Sequence, residues 1–146
     1  VEGATGYIDT NYKGKADAAI KALRSGSDIA FIHLESPDES GHEGNSEHKL
    51  KSIQDIDSLI VGPVYEALSS EFDDYSIVIM PDHSTPIKVR THTPEPVPFL
   101  IYSSKEISGS DNYKAVESFS EKNSASTGLY FDDASVIVEA MIRNTL

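Results

Sequence analysis

The sequence predicts an α/β fold in which a mostly parallel sheet is flanked by helices. Three short, almost wholly apolar runs at 28–34, 76–80 and 98–102 are typical of strands that are buried on both faces. Segments with apolar residues at helical spacing alternate with these runs, as in chains whose strands are joined by helices. The 146 residues suffice for one domain with its own core, and no internal repeat or linker divides 1–146.

The first third of the chain is predicted to hold a helix, a strand and a loop. In residues 15–24 the apolar positions have helical spacing, and the Ser-Gly-Ser run that follows is expected to end this helix. The apolar run at 28–34 is predicted as a buried strand. The segment 35–45 is polar and rich in Gly, Pro and Ser, so it is predicted as a loop.

The remainder is predicted to hold a long helix, two strands and a final helix. The long helix is indicated by apolar residues spaced by three and four, namely Leu50, Ile53, Ile56, Leu59 and Ile60. Pro63 is expected to open its continuation, because a proline inside a helix removes a hydrogen bond, and the helix is expected to end near Ser70. After the third strand, residues 103–128 are predicted as a surface excursion, and a last helix is predicted over about 132–144.

Composition and charge narrow the classes of function. The formal charge is −12, with 24 acidic against 12 basic residues, which disfavours nucleic acid and anionic membrane as partners. Bound divalent cations would offset part of this charge, although an ordinary acidic surface explains most of it. The absence of cysteine excludes disulfides and thiolate metal sites. No apolar run approaches the ~20 residues of a membrane span and the start does not read as a signal peptide, so a cytoplasmic protein is expected.

The first candidate metal-binding motif follows the first predicted strand. His42 lies four positions after Asp38, and on one helical turn this spacing places a carboxylate beside an imidazole that could bind the same ion. The pair taken alone is more typical of a capped loop or a helix start.

Further candidate ligands follow the second predicted strand. Asp82 and His83 stand where the backbone leaves that strand, and Pro86 marks the exit. His92 precedes the third strand and, taken alone, is typical of a surface histidine. Because ligand sites of α/β sheets lie beyond the carboxyl ends of the strands, the three groups are expected to converge. Imidazole and carboxylate ligands together predict a site for two ions such as Zn²⁺ or Mn²⁺.

The order of these motifs resembles the alkaline phosphatase superfamily, and their surroundings are similar to the archaeal type of cofactor-independent phosphoglycerate mutase. The resemblance covers nearly the whole chain and lies in four runs, which are Gly3-Ala4-Thr5-Gly6-Tyr7, the segment from His33 to His42, Asp82-His83-Ser84-Thr85-Pro86 and the segment from Thr91 to Phe99. It implies the alkaline-phosphatase-like fold and interconversion of 3-phosphoglycerate and 2-phosphoglycerate in glycolysis and gluconeogenesis. The reaction would proceed through a phosphoserine intermediate, with two divalent ions and no 2,3-bisphosphoglycerate.

The resemblance also implies roles for individual residues. Asp38, His42 and His92 match the ligands of one ion, and Asp82 and His83 match two ligands of the other. Manganese or zinc is expected, with magnesium and cobalt as alternatives. The family's nucleophilic serine and its substrate-binding lid domain match nothing in this chain and are expected upstream of Val1. The chain is therefore expected to be a C-terminal part of the metal-binding domain, inactive as a mutase when alone.

Several expectations stay open at this stage. Lys88 and Arg90, which lie between the metal motifs, are candidate contacts for a substrate phosphate or plain surface residues. The substrate could instead belong to another phosphomutase or a phosphodiesterase of the same superfamily, or the chain could be a non-catalytic metal-binding module. A structural domain with scattered histidines would show no effect of metal on its melting temperature. Self-association is plausible through an exposed strand edge.

Overall fold

The computed structural model describes residues 1–107, 109, 111 and 116–145. The chain divides into two compact units. The first comprises 1–71 and 85–93, and the second comprises 72–84 and 94–146. In the part of the chain that the structure describes, no helix is long and apolar enough to cross a membrane.

The first unit is helical. Helix α1 spans Tyr12–Arg24 and begins at Asn11, whose side chain accepts a hydrogen bond from the backbone N–H of Gly14. Its first turn therefore lies before the predicted start at residue 15. Three further helices follow, α2 at Ser36–Glu43, α3 at Ser46–Ile56 and α4 at Gly62–Glu71.

A π-helical turn at Asp57–Val61 joins α3 to α4, so the two form the long helix that the sequence predicts. Within this turn the backbone N–H of Gly62 binds the carbonyl of Asp57, five residues back. Pro63 explains the widening, because proline has no N–H and its ring would clash with the carbonyl four residues earlier in a regular α-helix. The prediction that Pro63 opens the continuation is confirmed.

The core of the first unit lies between α1 and the end of the long helix. Tyr12 and Ala16 of α1 pack with Ile60, and all three are buried. Partly buried apolar side chains surround this cluster, namely Ile32, Leu34, Ile56 and Val64. The Tyr12 hydroxyl lies 2.7 Å from Oγ of the buried Ser36, which ties the core to the first residue of α2.

The predicted strand at 28–34 is not a strand in the structure. Its side chains alternate, with Ile32 and Leu34 partly buried while Phe31 and His33 are exposed, which is the period of an extended chain. However, no backbone–backbone hydrogen bond joins residues 29–34 to another segment of the described chain. The prediction is wrong because an apolar run becomes a strand only where a neighbouring strand pairs with it.

The predicted loop at 35–45 is also wrong, because most of it forms α2. The helix ends at Gly44, which adopts a left-handed conformation with φ of 70°. The segment is nevertheless weakly helical by composition, and Glu35 at its start makes no side-chain capping hydrogen bond.

The second unit contains a two-stranded sheet and two helices. Strand β1 at Ser76–Ile79 pairs with β2 at Leu100–Ser103, with Ser76 opposite Ser103 and Ile79 opposite Leu100. Helix α5 spans Glu121–Ser126, within the region predicted as a surface excursion, part of which lies outside the described residues. Helix α6 spans Ser135–Arg143, packs against both strands and buries Ile137 and Ala140.

The pairing of β1 with β2 is antiparallel, so the prediction of a mostly parallel sheet is not confirmed. The described residues form this one sheet only. A parallel pair needs a crossover connection, usually a helix, and the described residues between β1 and β2 contain none. The structure confirms the predicted fold class only in part, as helices together with a small sheet.

Candidate metal centre

Helix α2 places Asp38 and His42 on the same face, one turn apart. The Nε2 atom of His42 lies 3.3 Å from Oδ2 of Asp38. Pro37 occupies the first turn, where its missing N–H costs no helical hydrogen bond. Asp38 lies near the positive end of the helix dipole and His42 near the negative end, so the dipole favours a carboxylate at one site and a positive charge at the other.

His92, from the loop at 85–93, completes a cluster of three. Its Nε2 atom lies 3.2 Å from Nε2 of His42 and 3.5 Å from Oδ1 of Asp38. Zinc ligands lie at ~2.1 Å, and around a tetrahedral ion this distance separates neighbouring ligand atoms by about 3.4 Å. The three separations in the cluster, 3.2, 3.3 and 3.5 Å, lie near that value, with the two histidines approaching different oxygens of the Asp38 carboxylate. The three side chains therefore lie close enough together to share one divalent ion.

The donor set indicates the class of ion and the kind of site. Two imidazoles and one carboxylate suit zinc, manganese and similar divalent ions. Three protein ligands leave a coordination position open, as in catalytic rather than structural zinc sites. The side chain of His92 is 52% exposed and that of Asp38 is 30% exposed, so the cluster is reachable from solvent.

Thr85 supports the Asp38 carboxylate. Its hydroxyl donates a hydrogen bond to Oδ1 of Asp38, and Thr85 itself is buried. The carbonyl of Thr85 in turn accepts a hydrogen bond from Nζ of Lys49 on α3, at 2.7 Å. Helix α3 and the 85–93 loop thus fix the rotamer of a candidate ligand on α2.

A backbone carbonyl supports His42. Nδ1 of His42 lies 3.0 Å from the carbonyl oxygen of Arg90. An oxygen of this kind only accepts, so the ring nitrogen facing it must carry the proton. The other nitrogen, Nε2, faces Asp38 and His92.

Gly41 allows the 85–93 loop to approach α2 closely. A β-carbon at Gly41 would lie 2.6 Å from the carbonyl oxygen of Thr85 and 2.9 Å from its Cγ2 atom. Because no real β-carbon approaches a backbone oxygen this closely, any larger residue would displace Thr85. The loop can reach Asp38 and His42 only because this position in the helix has no side chain.

Asp82 and His83 belong to the second unit. They follow β1, as predicted from the sequence. Nε2 of His83 lies 3.6 Å from Oδ2 of Asp82, and the backbone N–H of His83 donates to Oδ1 of Asp82 at 3.1 Å. Their role as ligands of a second ion stays a prediction.

The other charged and histidine side chains singled out from the sequence lie at the surface. Lys88 and Arg90 are exposed in the 85–93 loop, and their contact with a substrate phosphate stays a prediction. His33, which lies in the segment predicted as a buried strand, is exposed because its side of the extended segment faces solvent, and its Nε2 atom lies 3.2 Å from Oε1 of Glu35.

Comparisons with known proteins agree with a metal site. Residues 1–131 match the family described as the Metalloenzyme superfamily. The chain is 46% identical over 142 residues to a probable 2,3-bisphosphoglycerate-independent phosphoglycerate mutase of Geobacter sulfurreducens, which covers 97% of this chain and 34% of that protein. It is 50% identical over 123 residues to a 2,3-bisphosphoglycerate-independent phosphoglycerate mutase of Methanosarcina mazei, which covers 84% of this chain and 30% of that protein.

A solved structure extends the likeness to the fold. The PH0037 protein from Pyrococcus horikoshii superposes with a TM-score of 0.83 at 31% identity, which covers 98% of this chain and 41% of that one. The chain thus spans about a third of the length of the curated relatives that it matches.

Proposed function

We propose that this chain, which belongs to the Metalloenzyme superfamily, is the metal-binding part of a phosphoglycerate mutase that interconverts 3-phosphoglycerate and 2-phosphoglycerate. The observation that carries the proposal is the cluster of Asp38, His42 and His92, whose ligand atoms all lie within 4.8 Å of one another. The relatives, which are named as 2,3-bisphosphoglycerate-independent phosphoglycerate mutases, support the choice of reaction within the superfamily.

Five residues would hold the two ions of the whole enzyme. Asp38, His42 and His92 are proposed for the first ion, and Asp82 and His83 for the second. Manganese and zinc fit these ligands, with magnesium and cobalt as alternatives. When bound, the ions would supply Lewis-acid stabilisation of the charge on a transferring phosphoryl group.

The proposed reaction is a phosphoryl transfer in two balanced halves. A serine outside this chain would attack the phosphorus of 3-phosphoglycerate, and its proton would pass to the departing 3-hydroxyl oxygen. After the glycerate has turned in the site, its 2-hydroxyl would attack the phosphoserine and return the proton to the serine. Exposed Lys88 and Arg90 are proposed to contact the substrate phosphate or carboxylate.

Metal binding is the first test of this proposal. The tag-free chain is titrated with Zn²⁺ and Mn²⁺ by calorimetry, beside Asp38→Asn, His42→Ala and His92→Ala. We expect each substitution to weaken binding at least tenfold, which is about 1.4 kcal/mol. His48→Ala is the matched control, because this histidine is exposed and lies outside the cluster. Equal binding by wild type and all three variants would refute the site.

Turnover is the second test. We predict that the chain alone gives no flux from 3-phosphoglycerate in an enolase-coupled assay with Mn²⁺, because none of its serines stands in the context of the family's nucleophile. Robust flux would contradict this prediction. Addition of a separately produced upstream portion of a relative is expected to restore flux, and Asp82→Asn in this chain is expected to abolish the restored activity.

Two further expectations from the sequence remain proposals. The first is a cytoplasmic location, which microscopy of the tagged full-length protein would test. Self-association is proposed through the extended segment at 29–34, where Phe31 is 88% exposed. Sedimentation velocity tests it, and Phe31→Lys is expected to shift any dimer toward monomer. A wild-type chain that sediments as a monomer at all concentrations would contradict self-association.

A further inference from the structure

Arg90 holds a backbone conformation that is unusual for its residue type. Its φ is 60°, in the left-handed region that favours glycine and asparagine. The backbone N–H groups of Val89 and Arg90 both bind the carbonyl of Pro86, at 2.9 Å, so a single helical turn ends at Arg90. A non-glycine residue held in this conformation persists only where its surroundings determine it, and such residues cluster at functional sites.

The conformation turns the Arg90 carbonyl toward α2. This oxygen lies 3.0 Å from Nδ1 of His42, two residues before the chain reaches His92. Because Nδ1 must donate, the unprotonated nitrogen of neutral His42 is Nε2. Nε2 lies 3.3 Å from Asp38 and 3.2 Å from His92, so the hydrogen bond presents its lone pair to the metal cluster.

We propose that Arg90 is a positioning residue, whose left-handed main chain aims its carbonyl at His42 and so leaves Nε2 of that histidine ready to bind a divalent cation. The inference rests on the proposed function for the identity of the ion and adds the device that orients one of its ligands. Ligating histidines commonly donate their second N–H to a carbonyl or carboxylate, which fixes the tautomer and ring orientation.

The side chain of Arg90 has a separate part in this arrangement. It lies over Gly44, where a β-carbon would come within 2.3 Å of Nε of Arg90. The guanidinium group therefore rests against the C-terminal end of α2, which favours a cation.

Substitutions that differ in their tolerance of positive φ separate the main chain from the side chain. Arg90→Asn and Arg90→Val remove the same charge, and both keep a β-carbon. Asparagine adopts the left-handed region readily, whereas the β-branched valine does not. Arg90→Gly, which has the freest backbone, is the third variant.

The readout is the affinity of the tag-free chain for Zn²⁺, measured by competition with a chromophoric chelator. We expect Arg90→Val to bind roughly tenfold more weakly than wild type, the usual lower limit for loss of an outer partner. Arg90→Asn and Arg90→Gly are expected to stay within about threefold of wild type, because their backbones keep the carbonyl in place. Equal affinity of the Val and Asn variants would overturn the proposal. Equal weakening of all three would overturn it as well, because the side chain would then be the part that acts.

A measurement on the metal-free chain makes the inference independent of metal binding. Nitrogen-15 shifts of the imidazole rings are expected to show the proton on Nδ1 of His42 in wild type and Arg90→Asn. The Val variant, checked for folding by circular dichroism, is expected to show a mixture of tautomers. A proton on Nε2 of His42 in wild type would overturn the inference even if zinc binds. Failure of wild type to bind zinc, with Nδ1 protonated, would instead count against the proposed function alone.

Discussion

Replacement of Thr85 by valine tests whether the partner of Asp38 matters to the metal site. The change keeps the shape of the side chain and removes the hydroxyl that donates to Oδ1 of Asp38. It leaves intact the carbonyl of Thr85, which accepts from Lys49. The substitution is therefore aimed at the hydrogen bond to Asp38.

The expected magnitude follows from the position of the pair. A hydrogen bond to a charged group contributes about 1.5–3 kcal/mol, and the lower value applies because the Asp38 side chain is 30% exposed. Metal affinity changes only by the part of this energy that differs between the loaded and metal-free states. Since a bound ion requires a fixed carboxylate whereas the free carboxylate can rotate toward water, we expect roughly tenfold weaker Zn²⁺ binding.

The assay is calorimetric titration of Thr85→Val beside Thr85→Ser and wild type. The serine variant keeps the hydroxyl and loses the methyl group that packs against Gly41, so we expect it to bind zinc almost as wild type does. Binding by Thr85→Val within twofold of wild type would show that the hydroxyl does not position Asp38. Equal losses in both variants would assign the effect to packing instead. In an Asp38→Asn background the Thr85 substitution should have little further effect.

Three further predictions concern stability. Gly41→Ala should lower the free energy of unfolding in urea by about 1–2 kcal/mol, because overpacking against the neighbouring loop outweighs the gain in helix propensity, and a more stable variant would contradict this. Tyr12→Phe should cost about 1 kcal/mol in the same assay, because it leaves the buried hydroxyl of Ser36 without this partner, and an unchanged midpoint would argue against the contact. The hydrogen bond from Arg24 holds the pKa of Glu71 below its ordinary value of 4.5, so the pair stabilises the fold above that pH and this contribution is lost as the pH falls through the lowered pKa. Glu71→Gln should therefore lose less melting temperature than wild type between pH 6 and pH 3, and parallel curves would contradict the assignment.

Helices α1, α3 and α4 of the first unit were predictable because their apolar residues repeat at the helical period, whereas α2 was predicted as a loop. Local chemistry even explains the join between α3 and α4, where Pro63 forces a π-helical turn. The direction of the sheet was not predictable in the same way. Apolar runs such as 28–34 carry the burial pattern of a strand, but the pattern does not say which segment pairs with the run. Phe31 shows the consequence, since a residue expected in the interior is 88% exposed.

The candidate metal ligands were predictable because their residue types and their spacing are typical of metal sites. Asp38 and His42 stand one helical turn apart, and His92 is suggested by its place just before the third predicted strand. The residues that hold these ligands in place, such as Arg90, could not be predicted from residue type and spacing. Arg90 contacts His42 through its backbone carbonyl, a group that every residue has. The contact also depends on a positive φ, which the presence of an arginine does not predict. Gly41 and Gly44 were the available hint, because each leaves space that the 85–93 loop fills.

Helix α2 explains why the site and the local fold depend on each other. Its eight residues include two serines, a proline and a glycine, and its start has no side-chain cap, so the segment is too short and too weakly helical to persist in isolation. Its wrong prediction as a loop followed from this weak local preference for the helix. In the structure, Thr85 and the Arg90 carbonyl hold Asp38 and His42 in the helical register, and a divalent ion would tie both to His92. An ion that binds only this register stabilises the helix by the same free energy with which it binds. A segment with stronger helix formers would keep α2 folded whether or not an ion is bound. Because this segment is weakly helical, the helicity of α2 should depend on whether the metal site is occupied.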